Sequence, residues 1–234
     1  MELQNIRKII KKNSNYCIDI MTPWDDVCTN PKNSNENRFY DYIPIMKDNV
    51  VSSLLDQVNK KYYDINNNYF INEKDDLISV LEKMNKLYND NKITSLIVGN
   101  ANNHLGIINH NDLNNPSFIH IMWDIFYNFE IKLGNYLKDS CSYDKKIDCL
   151  KGMDKNIYYR DKKLNQDLEP IFYYSLSNKI KLYNDNNTEN KLQIEDIKFR
   201  NNMAHPRSKP KVINNKSEIP QLLKSLEDID KFLS

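Results

Sequence analysis

The chain has 234 residues, a net charge of +1 and a mean hydropathy of −0.73. Its length allows one large or two small domains, and its near-neutral charge excludes a globally basic nucleic-acid-binding surface. Fifteen Tyr and eight Phe supply enough aromatic residues for a core, so disorder is not expected. Residues 1–116 carry a net charge of −2 and residues 117–234 carry +3. Any anion site must therefore be local, or be assembled by dimerisation.

The cysteines and the N-terminal residues indicate the cellular compartment of the protein. Four cysteines lack CxxC or zinc-site spacing, so we expect free thiols in a reducing compartment and no metal site. They are Cys17, Cys28, Cys141 and Cys149. Basic residues interrupt the first apolar positions, and no run of 18 apolar residues occurs. We therefore predict a cytoplasmic protein without a membrane span.

A short amphipathic helix is predicted within residues 1–15. Leu3, Ile6, Ile9 and Ile10 follow helical spacing, with basic residues between them. The stretch is short and lacks aromatic residues, so packing on the protein body is favoured over binding to a membrane surface.

Residues 69–112 contain the clearest pattern of the N-terminal half. Apolar positions at helical spacing occur between short β-type runs, and this order is typical of a packed α/β unit. The predicted elements are a strand at 69–71, a helix at 75–88, a strand at 93–98, a turn at 99–103, a strand at 105–108 and a helix or turn from Asp112.

The end of this unit, Gly106-Ile-Ile-Asn-His-Asn-Asp112, resembles a CBS motif, a paired module that often binds adenine nucleotides. The glycine, the apolar pair and Asp112 match that family's pattern, whereas Asn109 replaces its usual hydroxyl residue. The resemblance implies that Asp112 contacts ribose hydroxyls. It also implies that the backbone of Thr94, Ser95 and Leu96 faces the adenine. A purely structural alternative is that Asp112 caps the following helix.

An earlier segment resembles a degenerate first copy of the same motif. Asp19-Ile-Met-Thr-Pro23 is similar to the peptide that precedes such a motif, and strands are predicted at 42–45 and 50–51. Ser52 occupies the hydroxyl position, but Leu55 falls where the ribose-binding Asp belongs. Two such motifs pack into one pseudo-symmetric domain, so we expect a CBS-like domain at 16–116 with a single nucleotide site.

Residues 117–234 are predicted to form an all-α bundle. Its first helix, 118–133, is apolar on more than one face, which indicates either a central helix or one shared with a partner chain. Glu130 is the carboxylate inside this run, and it either pairs with a basic group or faces solvent. Further predicted elements are a loop at 138–152 with a short helix at 147–150, helices at 165–183, 192–204 and 219–233, and a turn at 184–187.

The stretch Asp196-Ile-Lys-Phe-Arg-Asn-Asn-Met-Ala-His-Pro206 combines residue types suited to phosphodiester chemistry. Arg200 can grip a phosphate with two bonds, and His205 can move a proton near neutral pH. Pro206 predicts that the helix stops at His205, where the helix dipole favours the protonated imidazole. Asn201 lies four residues before His205 and can orient it. Alternatively, the basic residues only satisfy the last helix carbonyls.

The run Arg200-Asn-Asn-Met-Ala-His205 resembles the signature of HEPN domains, many of which are metal-independent endoribonucleases. That resemblance implies catalytic roles for Arg200, Asn201 and His205, at a site where two copies of the motif meet across a homodimer. It also suggests a toxin or antiviral-defence setting. The basic residues that follow are interpreted as RNA contacts or as a solvated loop. They are Arg207, Lys209 and Lys211.

Together these patterns predict an α+β protein with an N-terminal helix at 1–15, a CBS-like domain at 16–116 and a HEPN-like helical domain at 117–234. The leading hypothesis is a ribonuclease that needs no cofactor for catalysis and is regulated by an adenine nucleotide. The alternative is a non-catalytic nucleotide sensor joined to a dimerisation scaffold that binds protein or nucleic acid.

Overall fold

A computed structural model describes residues 3–12, 16–23, 41–148, 150, 152–164, 169–189, 191–192, 197–204 and 210–234. The protein is α+β, as its sequence predicts. Its strands in the described residues are β1 Thr22–Pro23, β2 Tyr42–Lys47, β3 Val50–Asp56, β4 Lys61–Asp64, β5 Phe70–Ile71, β6 Ser95–Gly99 and β7 His104–Asn109. The α-helices are α1 Gln4–Lys12, α2 Leu77–Asn91, α3 Pro116–Ser140, α4 Tyr143–Asp148, α5 Gly152–Lys163, α6 Leu176–Asn186, α7 Ile197–Ala204 and α8 Ile219–Leu233.

The first sheet has the strand order β1-β7-β6-β5. β5 pairs in parallel with β6, and the two other pairs are antiparallel. Helix α2 connects β5 to β6, so the predicted order of elements over residues 69–112 is confirmed. Asp76 starts this helix by accepting a hydrogen bond from the Ser79 backbone N–H.

Gly106 permits β1 to approach β7 closely. An added Cβ at this position would lie 2.3 Å from the carbonyl oxygen of Thr22, which is a severe clash with backbone. The close packing of β1 on β7 therefore requires glycine at this position, because a side chain would push β1 off the edge of the sheet.

The second sheet differs from the predicted first copy of the motif. β2, β3 and β4 form an antiparallel meander, and residues 41–66 contain no helix. Leu55 lies inside β3 rather than at the end of a strand. Asp56 accepts hydrogen bonds from the backbone of Val58 and Asn59, which closes the turn into β4. The third strand was not predicted, because Lys61 and Asp64 give its ends the composition of a loop.

Helix α3 is the central element of the helical half, as its apolar faces predict. Nine of its residues are buried, and α1, α6, α7 and α8 all pack against it. The helix is longer than predicted and begins earlier. Asn115 is the N-cap, and Pro116 occupies the first helical turn, where its missing N–H costs nothing.

Other helix boundaries in this half need correction. The predicted loop at 138–152 contains the end of α3, all of α4 and the first residue of α5. The predicted helix at 165–183 is interrupted, because Pro170–Tyr173 is a 3-10 turn and α6 begins only after the Ser175 cap. Helix α6 also runs through most of the predicted turn at 184–187. Leu192 is outside α7, whose described part begins at Ile197, whereas α8 matches its predicted bounds.

Asp230 joins the first and last helices. Its Oδ1 accepts hydrogen bonds of 2.8 Å from the backbone N–H groups of Asn5 and Ile6. These donors belong to the first turn of α1, where no intrahelical partner exists. A side chain 225 positions away thus does the work of an N-cap.

Buried side chains from both halves form one hydrophobic cluster. Helices α1 and α2 contact α8, so the elements before residue 116 pack on those after it. The predicted domain boundary falls where the 3-10 turn His110–Asn114 leads into α3, and it stays a prediction. Among the described helices, none combines the length and apolar character required to cross a bilayer.

Replacing Asp230 with alanine should destabilise the fold by about 1–2 kcal/mol, because two N–H groups of α1 lose their acceptor. Urea denaturation of both proteins measures this difference. Lys224→Ala, an exposed change on the same helix, is the matched control and should stay within about 0.5 kcal/mol of the parent. An equal loss in both variants contradicts the capping role.

Candidate functional site

Arg200 is positioned by the packing of α7 on α3. Phe199 and Met203, on the same short helix, are buried and fix its rotation. Arg200 therefore points along the surface of α3, with about a quarter of its side chain exposed. The described part of α7 runs to Ala204, and the stop predicted at His205 lies outside the described residues.

Glu130 holds two cations at once. Its Oε1 accepts a hydrogen bond of 3.1 Å from Lys179 Nζ, and its Oε2 accepts one of 3.3 Å from Arg200 Nη2. The Lys179 side chain is 7% exposed and that of Glu130 is 18% exposed, so both charges are largely removed from water. One carboxylate between two cations leaves a local charge of +1, which favours an anion at this place.

Aromatic side chains complete the surroundings of Arg200. The guanidinium carbon lies 5.8 Å from the centre of the Trp123 ring, within range of a cation–π interaction. A pocket of about 180 Å³ opens between Trp123, Phe126, Tyr127, Glu130 and Arg200. An immobilised arginine at the edge of an aromatic pocket can bind a phosphate while a ring system stacks beside it.

The other residues of the motif have different positions. Asn201 is exposed, and Asn202 is half-buried with its Nδ2 atom lacking a hydrogen-bond partner in the described structure. Lys211 is exposed. The remaining predicted site residues, His205, Arg207 and Lys209, lie outside the described residues. The predicted pairing of Asn201 with His205 therefore stays a prediction.

Thr94, Ser95 and Leu96, predicted to face an adenine, are all buried. The parallel ladder of β5 reaches only Ile97 and Val98, so on that side it does not extend to these three residues. Their predicted contact through the backbone stays a prediction.

Asp112 belongs to the same part of the sheet and caps the 3-10 turn His110–Asn114. Its carboxylate accepts a hydrogen bond of 2.6 Å from the Asn109 backbone N–H and one of 3.3 Å from Thr22 Oγ1. Burial raises the pKa of Asp112 to about 6, and these two hydrogen bonds oppose the rise. The carboxylate thus has a structural use, at the turn rather than at α3, whose cap is Asn115.

Buried polar side chains surround this turn. Ser95 donates its hydroxyl hydrogen to Asn109 Oδ1, and Thr94 Oγ1 lies 3.3 Å from His110 Nδ1. Asn109 is 2% exposed, yet its Nδ2 atom has no hydrogen-bond partner in the described part of the chain. A buried donor without an acceptor is energetically costly. It indicates a position where an oxygen atom of a ligand or water can accept the hydrogen bond.

Comparison of the chain with family models, with curated proteins and with solved structures gives no match in any of the three. Nor does any group of three or more His, Cys, Asp or Glu in the described residues form a cluster able to hold a metal ion.

Two site residues were not predicted from the sequence. Lys179 is one of several lysines at intervals along a helix, and nothing in its neighbourhood distinguishes it. Trp123 carries a detectable signal, because it lies seven residues before Glu130 and hence on the same face of α3. In the sequence, however, Trp123 contributes only to the apolar character of that helix.

The buried carboxyl group of Asp112 predicts a specific pH dependence. A folded pKa of about 6, above the usual 3.8, means that the folded state binds the proton more tightly than the unfolded state. Stability should therefore fall as the pH rises from 4 through 6. Asp112→Asn should lack this fall and gain roughly 1–3 kcal/mol relative to the parent between pH 4 and pH 7.

Urea denaturation of the parent and of Asp112→Asn at both pH values tests this shift. Asp90→Asn, an exposed change on α2, is the control and should follow the parent. A difference between the parent and Asp112→Asn that stays constant with pH rules out a raised pKa for Asp112.

Proposed function

We propose that this protein is a metal-independent endoribonuclease of the HEPN type, with Arg200, Asn201 and His205 at its active site. The observation that carries the proposal is the position of Arg200. Glu130 and Trp123 hold its guanidinium at the rim of an aromatic pocket, in a region with a local charge of +1. An arginine that only satisfied helix carbonyls would need neither partner.

The proposed reaction uses the RNA itself as the nucleophile. The 2′-oxygen attacks the adjacent phosphorus and the bond to the 5′-oxygen breaks, giving a 2′,3′-cyclic phosphate and a 5′-hydroxyl. His205 handles the proton of the 2′-hydroxyl or of the leaving oxygen, and Asn201 orients one of the reacting groups. Arg200 stabilises the charge that develops on the phosphate oxygens.

The aromatic residues around Arg200 support unpaired RNA as the substrate. Tyr127 is exposed and Trp123 is half-buried, so both rings offer surface to a base. Bases can stack on aromatic side chains only where they are released from a duplex. Single-stranded RNA is therefore the proposed substrate, and duplex RNA is expected to resist.

We further propose that the protein is a homodimer whose helical halves face each other, in a cytoplasmic toxin or antiviral-defence setting. Tyr127 and Ile131 are neighbours on α3, and both are exposed although they are large and apolar. Covering this face with a second copy would bring two Arg200 side chains toward a shared site. A composite site of this kind explains how a chain of near-neutral charge concentrates cations on RNA.

Arg200→Ala and His205→Ala should each lower the rate of single-stranded RNA cleavage by about 10²–10³-fold, because each removes a group that acts in the transition state. Gel analysis of a labelled RNA measures the rate. Cleavage should survive EDTA, yield cyclic phosphate ends and fail on RNA methylated at its 2′-oxygens. Arg160→Ala, which removes an exposed arginine from α5, is the matched control and should leave the rate unchanged.

A requirement for Mg²⁺, or cleavage that persists in both variants, contradicts this mechanism.

Light scattering tests the dimer independently, and a strictly monomeric mass contradicts a composite site. If each active site takes Arg200 from one chain and His205 from the other, mixing the two inactive variants should restore part of the activity.

Regulation by an adenine nucleotide at the CBS-like part is a second proposal, supported by the unpartnered Asn109 Nδ2 beside Asp112. A nucleotide oxygen would satisfy this donor, and the Asp112 carboxylate would accept from ribose hydroxyls after releasing Thr22. If the protein does not cleave RNA, the same site supports the alternative function of a nucleotide-sensing scaffold.

Adenine nucleotides should raise the melting temperature of the parent protein, because a ligand that binds only the folded state stabilises it. Thermal unfolding with AMP, ATP, an adenine dinucleotide and a cyclic adenine oligonucleotide measures the shift. Asp112→Ala should abolish the shift, whereas Asp90→Ala should preserve it. The absence of a shift with all four ligands contradicts nucleotide binding.

A further inference from the structure

A second pocket, of about 730 Å³, lies beside the Arg200 pocket. Its volume falls within the range of small-molecule sites. Trp123 lines both pockets, so the two are adjacent along the seam between α3 and α7. The new pocket is also lined by Pro116, Ile119, His120, Met203 and Pro210.

The walls of this pocket favour stacking over hydrogen-bonded recognition. Most of its lining side chains are apolar, and the ring of His120 is exposed at its edge. Asn114 also borders the pocket, but its amide is already used. Its Oδ1 accepts from the backbone of Val212 and Ile213, and its Nδ2 donates to the Ile213 carbonyl. A flat ring can therefore be held by its faces without its edges being read.

A cation borders the second pocket through Trp123, the residue that the two pockets share. Arg200 lies beyond Trp123 in the neighbouring pocket, and the exposed Lys211 follows the lining residue Pro210 in the chain. An apolar pocket beside a cation matches the chemistry of a nucleic acid strand, in which a stacking base alternates with charged phosphates. The same order does not match an apolar peptide, which brings no anion to the side of Arg200 that faces the pocket.

We propose that this second pocket is a stacking subsite for a nucleobase of single-stranded RNA, with Trp123 as its platform. The subsite extends the proposed nuclease function and rests on it for the position of the neighbouring phosphate at Arg200. Recognition by ring faces predicts that the subsite accepts all four bases with similar affinity.

Tryptophan fluorescence tests the subsite without any cleavage. The chain has two tryptophans, so a Trp24→Phe protein reports on Trp123 alone. A short single-stranded RNA methylated at its 2′-oxygens is the probe, because it binds without reacting. Its titration should quench the emission, while the same sequence as a duplex should not.

Substitutions at the platform provide the second measurement. Stacking energies predict that Trp123→Ala weakens binding of the probe roughly five- to hundredfold, and that Trp123→Phe keeps most of the affinity. His120→Ala should weaken binding less, and it keeps the subsite testable if Trp123→Ala fails to fold. Tyr62→Ala removes an exposed aromatic ring from β4 and should leave binding unchanged.

The outcomes separate the subsite from the nuclease function. Quenching and Trp123-dependent binding without cleavage of unmodified RNA support the subsite and contradict the nuclease. Cleavage without quenching, or with unchanged affinity in Trp123→Ala, supports the nuclease and overturns the subsite. Equal binding of single strand and duplex, or no binding of either, also overturns it.

Discussion

The fold depends on removing the apolar surface of one helix, α3, from water. Helix α3 is 25 residues long and apolar on several sides, so no single neighbour can remove it from water. Helices α1, α6, α7 and α8 pack around it, and the turn that precedes it continues directly from the first sheet. The positions of α6 and α7 follow from this requirement, and they bring Lys179 and Arg200 to the same stretch of α3.

Glu130 makes that stretch chemically distinct. A carboxylate in a largely buried position is tolerated only when cations or hydrogen-bond donors neutralise it. Lys179 and Arg200 supply the positive charge and the hydrogen-bond donors. The carboxylate also fixes the direction of the Arg200 guanidinium, which would otherwise sample many rotamers. The same contact that makes the buried charge acceptable therefore prepares Arg200 for binding an anion. It also explains why the half-buried Trp123 can contact the cation.

Local patterns predicted the elements whose residues interact with near neighbours in sequence. Helices α2 and α8 and strands β6 and β7 have regular apolar spacing, and the structure confirms their presence. Helix α5 has almost no apolar face and was missed, and Pro170 divides a stretch that otherwise has helical spacing. In the candidate site, the sequence motif predicted Arg200. Its contact with Glu130 joins positions 70 apart, and no local pattern specifies such a pairing.

The amide of Asn114 ties the turn at the end of the first sheet to a distant part of the chain. Asn114 ends the turn that Asp112 caps, and its three hydrogen bonds hold the backbone at Val212 and Ile213. The described chain resumes at Pro210, two residues before Val212. Any movement of this turn would therefore also displace the backbone at Val212 and Ile213, which lies 98 or 99 positions further along the chain.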